Sequence, residues 1–259
     1  MEEKWTAKEK LICISGILVV CLCLVIEGIS LRTAGADVST GSMGAVSDDG
    51  GKKMAYLTFD DGPSCLTESY LDILKEEGVH ATFFIIGQQV DDDTDAIIKR
   101  EIEEGHELGV HTYCHEANKI YSTSEACFED MMKIRTLLET KYGYKPRFVR
   151  FPWGSANSYI SSFREDIIRR IEESGMDYVD WNVSAEDSVG TPTVYSIMKN
   201  IRKDYSKYDE PVILMHDSGC NKMTLEALKD IIKELKDEGY SFGTLSERSE
   251  SCHFLEKQS

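Results

Sequence analysis

The chain has 259 residues, 41% of them hydrophobic, which is enough for one large domain with a sizeable core. Its 46 acidic residues outnumber 29 basic ones, for a net charge of -17. That excess excludes nucleic acid as a natural partner, because phosphate binding needs a basic face, and it argues against an anionic lipid surface as the main target.

Taken in order, residues 1–10 carry Lys4, Lys8 and Lys10 ahead of an apolar run. With Gly28 to Leu31, residues 11–31 amount to about one bilayer's worth of chain, interrupted by Glu27. The lysines before it place the N-terminus in the cytoplasm and the rest outside, with 11–31 as an uncleaved membrane anchor. A cleaved signal peptide is the rival reading, since Ala34-Gly35-Ala36 resembles a small-residue cleavage site. Either way the domain is expected to work outside the cytoplasm, at the cell membrane or secreted. Three of the eight cysteines lie in the apolar segment; the other five, Cys65, Cys114, Cys127, Cys220 and Cys252, cannot all pair within one chain. Residues 32–53, rich in Gly, Ser, Ala and Asp, read as a flexible linker.

From residue 54 short apolar runs alternate with helical patterns. Strands are expected at 54–59, 81–86, 107–111, 147–151, 177–181, 212–215 and 241–245. Helices are expected at 66–77, 95–104, 124–140, 163–174, 194–204 and 225–238, several of them closed by glycine. Seven strands alternating with six helices imply parallel strands with crossover helices, in a barrel or an open sheet. No repeat and no second boundary interrupts 54–248, which reads as one catalytic domain followed by a tail at 249–259.

The polar residues that stand out follow these strands. Asp60 and Asp61 end the first, where Gly62-Pro63 breaks the run. His111 and His115 follow the third, Arg150 ends the fourth, Asp187 follows the fifth and His216 ends the sixth. In a barrel that shared end is the catalytic face. Taken alone, Asp60-Asp61 is equally a solvated turn, and the histidine pair is more often structural than metal-binding. One helical turn would put His111 and His115 on one side; with Asp61 they would make a His-His-Asp set that leaves a position for water.

Five ordered stretches carry a resemblance. Phe59-Asp60-Asp61-Gly62-Pro63, Gly105-His106-Glu107 leading to His111-Thr112-Tyr113-Cys114-His115, Arg150-Phe151-Pro152-Trp153-Gly154, and Leu214-Met215-His216 resemble four motifs of the polysaccharide deacetylase family, also called carbohydrate esterase family four or the NodB-type domain. His80-Ala81-Thr82-Phe83-Phe84 with Gly87 also looks familial, and the resemblance covers roughly residues 52–248. It implies a deformed (β/α) barrel of about seven parallel strands and a metal-dependent hydrolase that removes N-acetyl groups from an extracellular polysaccharide, such as peptidoglycan or chitin-like oligomers. It also implies roles. Asp60 is the general base, held and tuned by Arg150. Asp61, His111 and His115 hold a divalent metal, zinc first, with cobalt, nickel or manganese also fitting. His216 is the general acid, oriented by Asp187, and the backbone N–H of Trp153 holds the oxyanion.

The chemistry stands beside the resemblance. An acetamide is a poor electrophile, so its carbonyl needs polarising and its water activating. A base must take the water's proton and an acid must protonate the leaving amine, which suits a histidine. The fourth motif departs from the family pattern: Asn182 and Ser184 stand where acids are common, and Ser188 where a tryptophan is. Asp187 is then the expected partner of His216, with Glu186 as rival, and the acetyl pocket loses apolar surface that Leu214 could partly supply. An O-acetyl esterase on xylan-like polysaccharide and a non-catalytic glycan-binding relative are the alternatives. Nothing in the sequence calls for an obligate protein partner.

Other residues are expected to be structural. His80 reads as a structural residue at the start of a buried strand, His106 as a packing or hydrogen-bonding residue, His253 as solvated in the tail, and Asp91-Asp92-Asp93 as a helix-start loop. Cys114 and Cys220 lack an evident base and are not read as nucleophiles.

Overall fold

A computed structural model describes residues 53–254. The expected anchor at 11–31, the linker before residue 53 and the last five residues lie outside the described part. Within it the elements run β1 (Met54–Gly62), α1 (Thr67–Glu77), β2 (Thr82–Ile86), α2 (Asp95–Glu103), β3 (Glu107–Thr112), α3 (Ala117–Ile120), α4 (Ser124–Tyr142) and β4 (Phe148–Val149). They continue with α5 (Arg164–Glu173), β5 (Asp177–Tyr178), β6 (Val183–Ser184), α6 (Val194–Asp204), β7 (Val212–His216), α7 (Lys222–Asp237) and β8 (Ser241–Phe242).

The strand order is β5-β4-β3-β2-β1-β7-β6, with β8 pairing separately with β1. Every ladder is parallel. The expected alternation of strands and helices is therefore present, as a curled seven-strand path. No ladder joins the edge strands β5 and β6 among the described residues, so the barrel is open there.

Both faces of the sheet are buried, and period-two alternation sorts its side chains between them. Leu57, Phe59, Phe83, Val149 and Ile213 pack outward against helix residues such as Tyr70, Ile98, Ile134 and Ile231. Tyr56, Phe84, Phe148 and Val212 form a second cluster on the inner side of the curl, with Val179 and Leu245. Gly109 makes room inside: a Cβ there would lie 2.4 Å from the Phe84 ring. The same alternation continued toward the carboxyl ends places Thr58 and Asp60, Arg150, and Leu214 and His216 on the inner face.

Three expectations are corrected. β6 was not expected, because Val183–Ser184 sits in a polar stretch with no apolar run; its pairing with Ile213 and Leu214 makes it a strand. The last strand is two residues, Ser241–Phe242, rather than 241–245, since Leu245 already begins a helical turn. The tail is not merely solvated up to residue 254. Asp180 N–H donates to Cys252 O at 2.6 Å, and the His253 ring stacks on Tyr178 with centroids 3.9 Å apart. His253 has an apolar partner there that sequence proximity could not reveal.

Candidate active site

β1 delivers the first two carboxylates. On a regular strand Asp60 and Asp61 would face opposite sides. Asp61 instead has φ 72, and the register against β2 shifts between Asp60 and Gly62. This left-handed bulge turns both carboxylates to the carboxyl end. It is held from below by Asp217, which no sequence pattern singled out. Asp217 N–H donates to Asp60 O at 2.7 Å, and its fully buried carboxylate accepts from Ser64 Oγ at 3.0 Å and Thr67 Oγ1 at 2.5 Å. A Cβ on Gly62 would lie 2.8 Å from Asp217 Oδ2, so only glycine fits the turn. Burial pushes the Asp217 carboxyl up to about 7, against the hydrogen bonds from Thr67 and Ser64. The one cue in the sequence was its place beside His216.

Asp60 is 3% exposed, and its Oδ1 accepts from Arg150 Nη1 at 3.0 Å. Arg150 is fully buried. It also donates to Thr58 Oγ1 at 2.7 Å, Val179 O at 3.2 Å and Asp180 O at 2.9 Å, and lies 4.2 Å over the Phe84 ring. A buried guanidinium so completely bonded holds its carboxylate partner in one place.

His111 is the penultimate residue of β3 and His115 lies in the loop after it, with φ 53. The expected helical turn is absent: His111 is on a strand, and left-handed backbone at His115 brings the second ring to 5.2 Å from the first. Asp130 of α4, also unforeseen, shapes this loop by accepting from Thr112 Oγ1 at 2.5 Å and Tyr113 N–H at 2.6 Å. His111 Nδ1 donates to Arg150 O at 2.8 Å, which leaves Nε2 with its lone pair toward the site.

The residues present fit a metal. Asp61 Oδ1 lies 3.3 Å from Nε2 of both histidines, yet it is buried and has no hydrogen-bond partner. Such an orphaned carboxylate oxygen calls for a cation. Two imidazoles and one carboxylate are a zinc-type donor set, and 3.3 Å is roughly the ligand-to-ligand edge of a tetrahedron with bonds of about 2.0–2.1 Å. Burial disfavours the charge on Asp61, but the adjacent His115 and His111 imidazoles overcome it and hold the carboxyl well below its usual range.

On the opposite wall, His216 Nδ1 lies 2.8 Å from Asp187 Oδ1. Asp187 Oδ2 accepts from His216 N–H at 2.9 Å and Thr224 Oγ1 at 2.7 Å, and Asn221 Nδ2 donates to Asp187 O at 3.0 Å. Asn221 and Thr224 were not foreseen; they begin the helix after His216. Glu186, the rival, is exposed and not bonded to the histidine, so the geometry selects Asp187. Asp187 follows β6 rather than the fifth strand, as the added strand requires. Burial works against a charged His216, but the adjoining Asp187 carboxylate, with Asp61 and Asp60, pushes it up to about 10.

Trp153 has φ 64 and its ring lies 5.4 Å from that of His115. Ser188 is exposed and Leu214 is 6% exposed on the inner face. All eight residues singled out from the sequence thus come to one end of the sheet. Cys114 lies beside them, its thiol pushed up by burial. No disulfide joins the five outer cysteines. His106 is buried and accepts from Ala81 N–H at 3.2 Å, whereas His80 is exposed and meets it edge-on.

The family model described as polysaccharide deacetylase matches residues 47–179. Over 209 residues, 78% of this chain and 71% of the other, the chain is 37% identical to YheN of Bacillus subtilis (strain 168). It is 34% identical to a peptidoglycan-N-acetylglucosamine deacetylase of Bacillus cereus, over 76% of this chain and 71% of that one. The crystal structure of the catalytic domain of peptidoglycan N-acetylglucosamine deacetylase from Eubacterium rectale superposes with a TM-score of 0.73 at 30% identity, covering 82% of this chain and 98% of that one.

Proposed function

The chain belongs to the polysaccharide deacetylase family and is a deacetylase hydrolase, and from that premise we propose that it removes N-acetyl groups from an extracellular glycan by a metal-dependent reaction. The carrying observation is the buried, unpartnered Asp61 Oδ1 between two histidines, flanked by the Arg150–Asp60 and Asp187–His216 pairs.

Asp61, His111 and His115 would hold the metal, zinc first among the divalent ions that suit this donor set. When bound, it supplies a Lewis acid for the acetamide carbonyl and lowers the pKa of the attacking water. Asp60, anchored by Arg150, takes the proton of that water. The N–H of Trp153 donates to the developing oxyanion. His216, kept protonated by Asp187, gives its proton to the leaving nitrogen, so acetate and a free amine are the products.

The names of the Bacillus cereus and Eubacterium rectale relatives favour peptidoglycan N-acetylglucosamine as the substrate, with chitin-like oligomers as soluble surrogates. Residues 11–31 favour a membrane-anchored enzyme with the domain outside, or a secreted one if Ala34-Gly35-Ala36 is cut. A second reading, O-acetyl removal from a xylan-like chain, draws on the small, exposed Ser188 next in sequence to Asp187 and on the name of a relative, a bifunctional xylanase/deacetylase of Pseudobutyrivibrio xylanivorans. Acetate release from peptidoglycan, N-acetylglucosamine oligomers and O-acetylated xylan, with and without a chelator, separates them. Release from the first two that stops with chelator and returns with zinc is expected. Release from xylan alone would select the second reading, and release unaffected by chelation would reject the metal.

A further inference from the structure

Beyond the reacting centre, one of the part-exposed aromatic side chains adjoins the site. Tyr159 is 40% exposed, while Tyr121, which it stacks on at 5.7 Å and 16°, is 7% exposed. The Trp153 ring adjoins both, 6.1 Å from Tyr121 and 5.5 Å from Tyr159, and continues to His115 at 5.4 Å. A continuous aromatic surface therefore leads from a proposed metal ligand outward to Tyr159.

Its segment is built to be rigid. Asn157 Nδ2 donates to Gly154 O at 2.7 Å and Pro152 O at 3.2 Å, and its Oδ1 accepts from Ile160 N–H at 3.2 Å. Arg164 donates to Ser155 O at 2.9 Å and Asn157 O at 3.0 Å. These bonds fasten the turn carrying Tyr159 to the turn carrying Trp153, and the fully buried Ile160 anchors it from below. What sets Tyr159 apart from other exposed aromatics is its place at the end of the ring series that starts at His115. A preorganised, part-exposed ring beside a glycan-processing centre is suited to bind, because it loses little freedom when covered.

We infer that Tyr159 is a stacking platform for the pyranose ring neighbouring the sugar that reacts. The C–H-bearing face of a pyranose is apolar and covers an aromatic ring, while its hydroxyls stay in water at the rim. The ring contacts from His115 to Trp153 at 5.4 Å and from Trp153 to Tyr159 at 5.5 Å put the platform outside the metal-ligand set yet close enough for a neighbouring sugar to cover it. This rests on the glycan-deacetylase reading above and adds the prediction that chain length is sensed at Tyr159.

The test separates binding from turnover. Affinities of the full chain carrying Asp60→Asn are measured for N-acetylglucosamine and its dimer, trimer and tetramer, alone and with Tyr159→Ala or Tyr159→Phe. The gain in affinity from one sugar to three should shrink roughly tenfold with Tyr159→Ala and survive in Tyr159→Phe. An unchanged gain would overturn the inference. So would equal weakening for all lengths, which would make Tyr159 a mere support for Trp153, and so would absence of binding by every oligomer. Acetate release by the unaltered chain on the same oligomers reports on the activity separately. No release, with length-dependent binding that Tyr159→Ala abolishes, would reject the activity and keep the platform.

Discussion

Arg150 and Arg202 each pair with a carboxylate, at 3.0 Å and 2.5 Å, yet they belong to different physical worlds. Arg150 is fully buried at the carboxyl end of the sheet, beneath Asp60. The Arg202 side chain, on the helical shell, is 54% exposed and meets Glu234 in water. Water screens the shell pair and could replace either partner. At the rim no water replaces Arg150, so the pair is a commitment of the fold to one geometry.

The backbone draws the same contrast. At the ends of the outer helices the left-handed positions are glycines, as at Gly78 and Gly143. At the rim the side-chain-bearing Asp61, His115 and Trp153 are left-handed as well. Where a turn only reverses the chain, glycine adopts it without steric cost. Where the side chain itself is needed, the strain is accepted and neighbouring bonds over-determine it. The difference teaches that the rim is organised for placement and the shell for stability.

Variants can break this comparison or sharpen it. His115→Ala should have the largest effect, loss of both bound metal and activity, read by elemental analysis and acetate release. Full retention of metal would detach His115 from the site. Asp60→Asn keeps shape but removes the proposed base, so kcat should fall by about two to four orders of magnitude while metal content stays. If metal were lost as well, Asp60 would have to be counted as a ligand.

Arg150→Met leaves Asp60 buried without its partner and should destabilise the fold by roughly 3–5 kcal/mol, measured by urea unfolding at neutral pH. A loss under about 1 kcal/mol would make the rim pair no different from a shell pair. Asp187→Asn should move the alkaline limb of the pH–rate profile to lower pH. With burial alone acting, His216 would titrate low; it is Asp187 that overrides burial and raises it toward 10. Removing that charge lets the proton leave at lower pH, so the acid is lost earlier. The folded-state pKa lies above the unfolded value near 6.5, so the pair's stabilisation is full below that value and lost as pH rises through about 10. An unmoved limb would take Asp187 out of the reaction. The smallest effect is expected from Arg202→Ala, less than about 1 kcal/mol by the same unfolding assay. A larger loss would mean the shell too relies on specific charge placement.

Local chemistry determined much of this protein. Apolar runs before Asp60, His111, Arg150 and His216 announced buried strands, and glycines announced helix ends, because both depend on residues close in sequence. The site residues were legible because they end such runs and match family motifs. Asp130, Asp217, Asn221 and Thr224 were not, because each acts through a partner brought near by folding. Asp217 meets Ser64, 153 positions away, and Arg150 meets Asp60 across 90. Likewise β6 exists only because β7 lies beside it, and His253 is held by the ring and carbonyl of Tyr178 and by Asp177. The sequence by itself determined which strands are buried and which residues stand at their ends. Only the tertiary structure decided that Asp61 turns left-handed to join Asp60 and that His115 reaches His111 without a helix. Those conformations are unfavourable locally and persist because the packed sheet and its buried bonds allow no other.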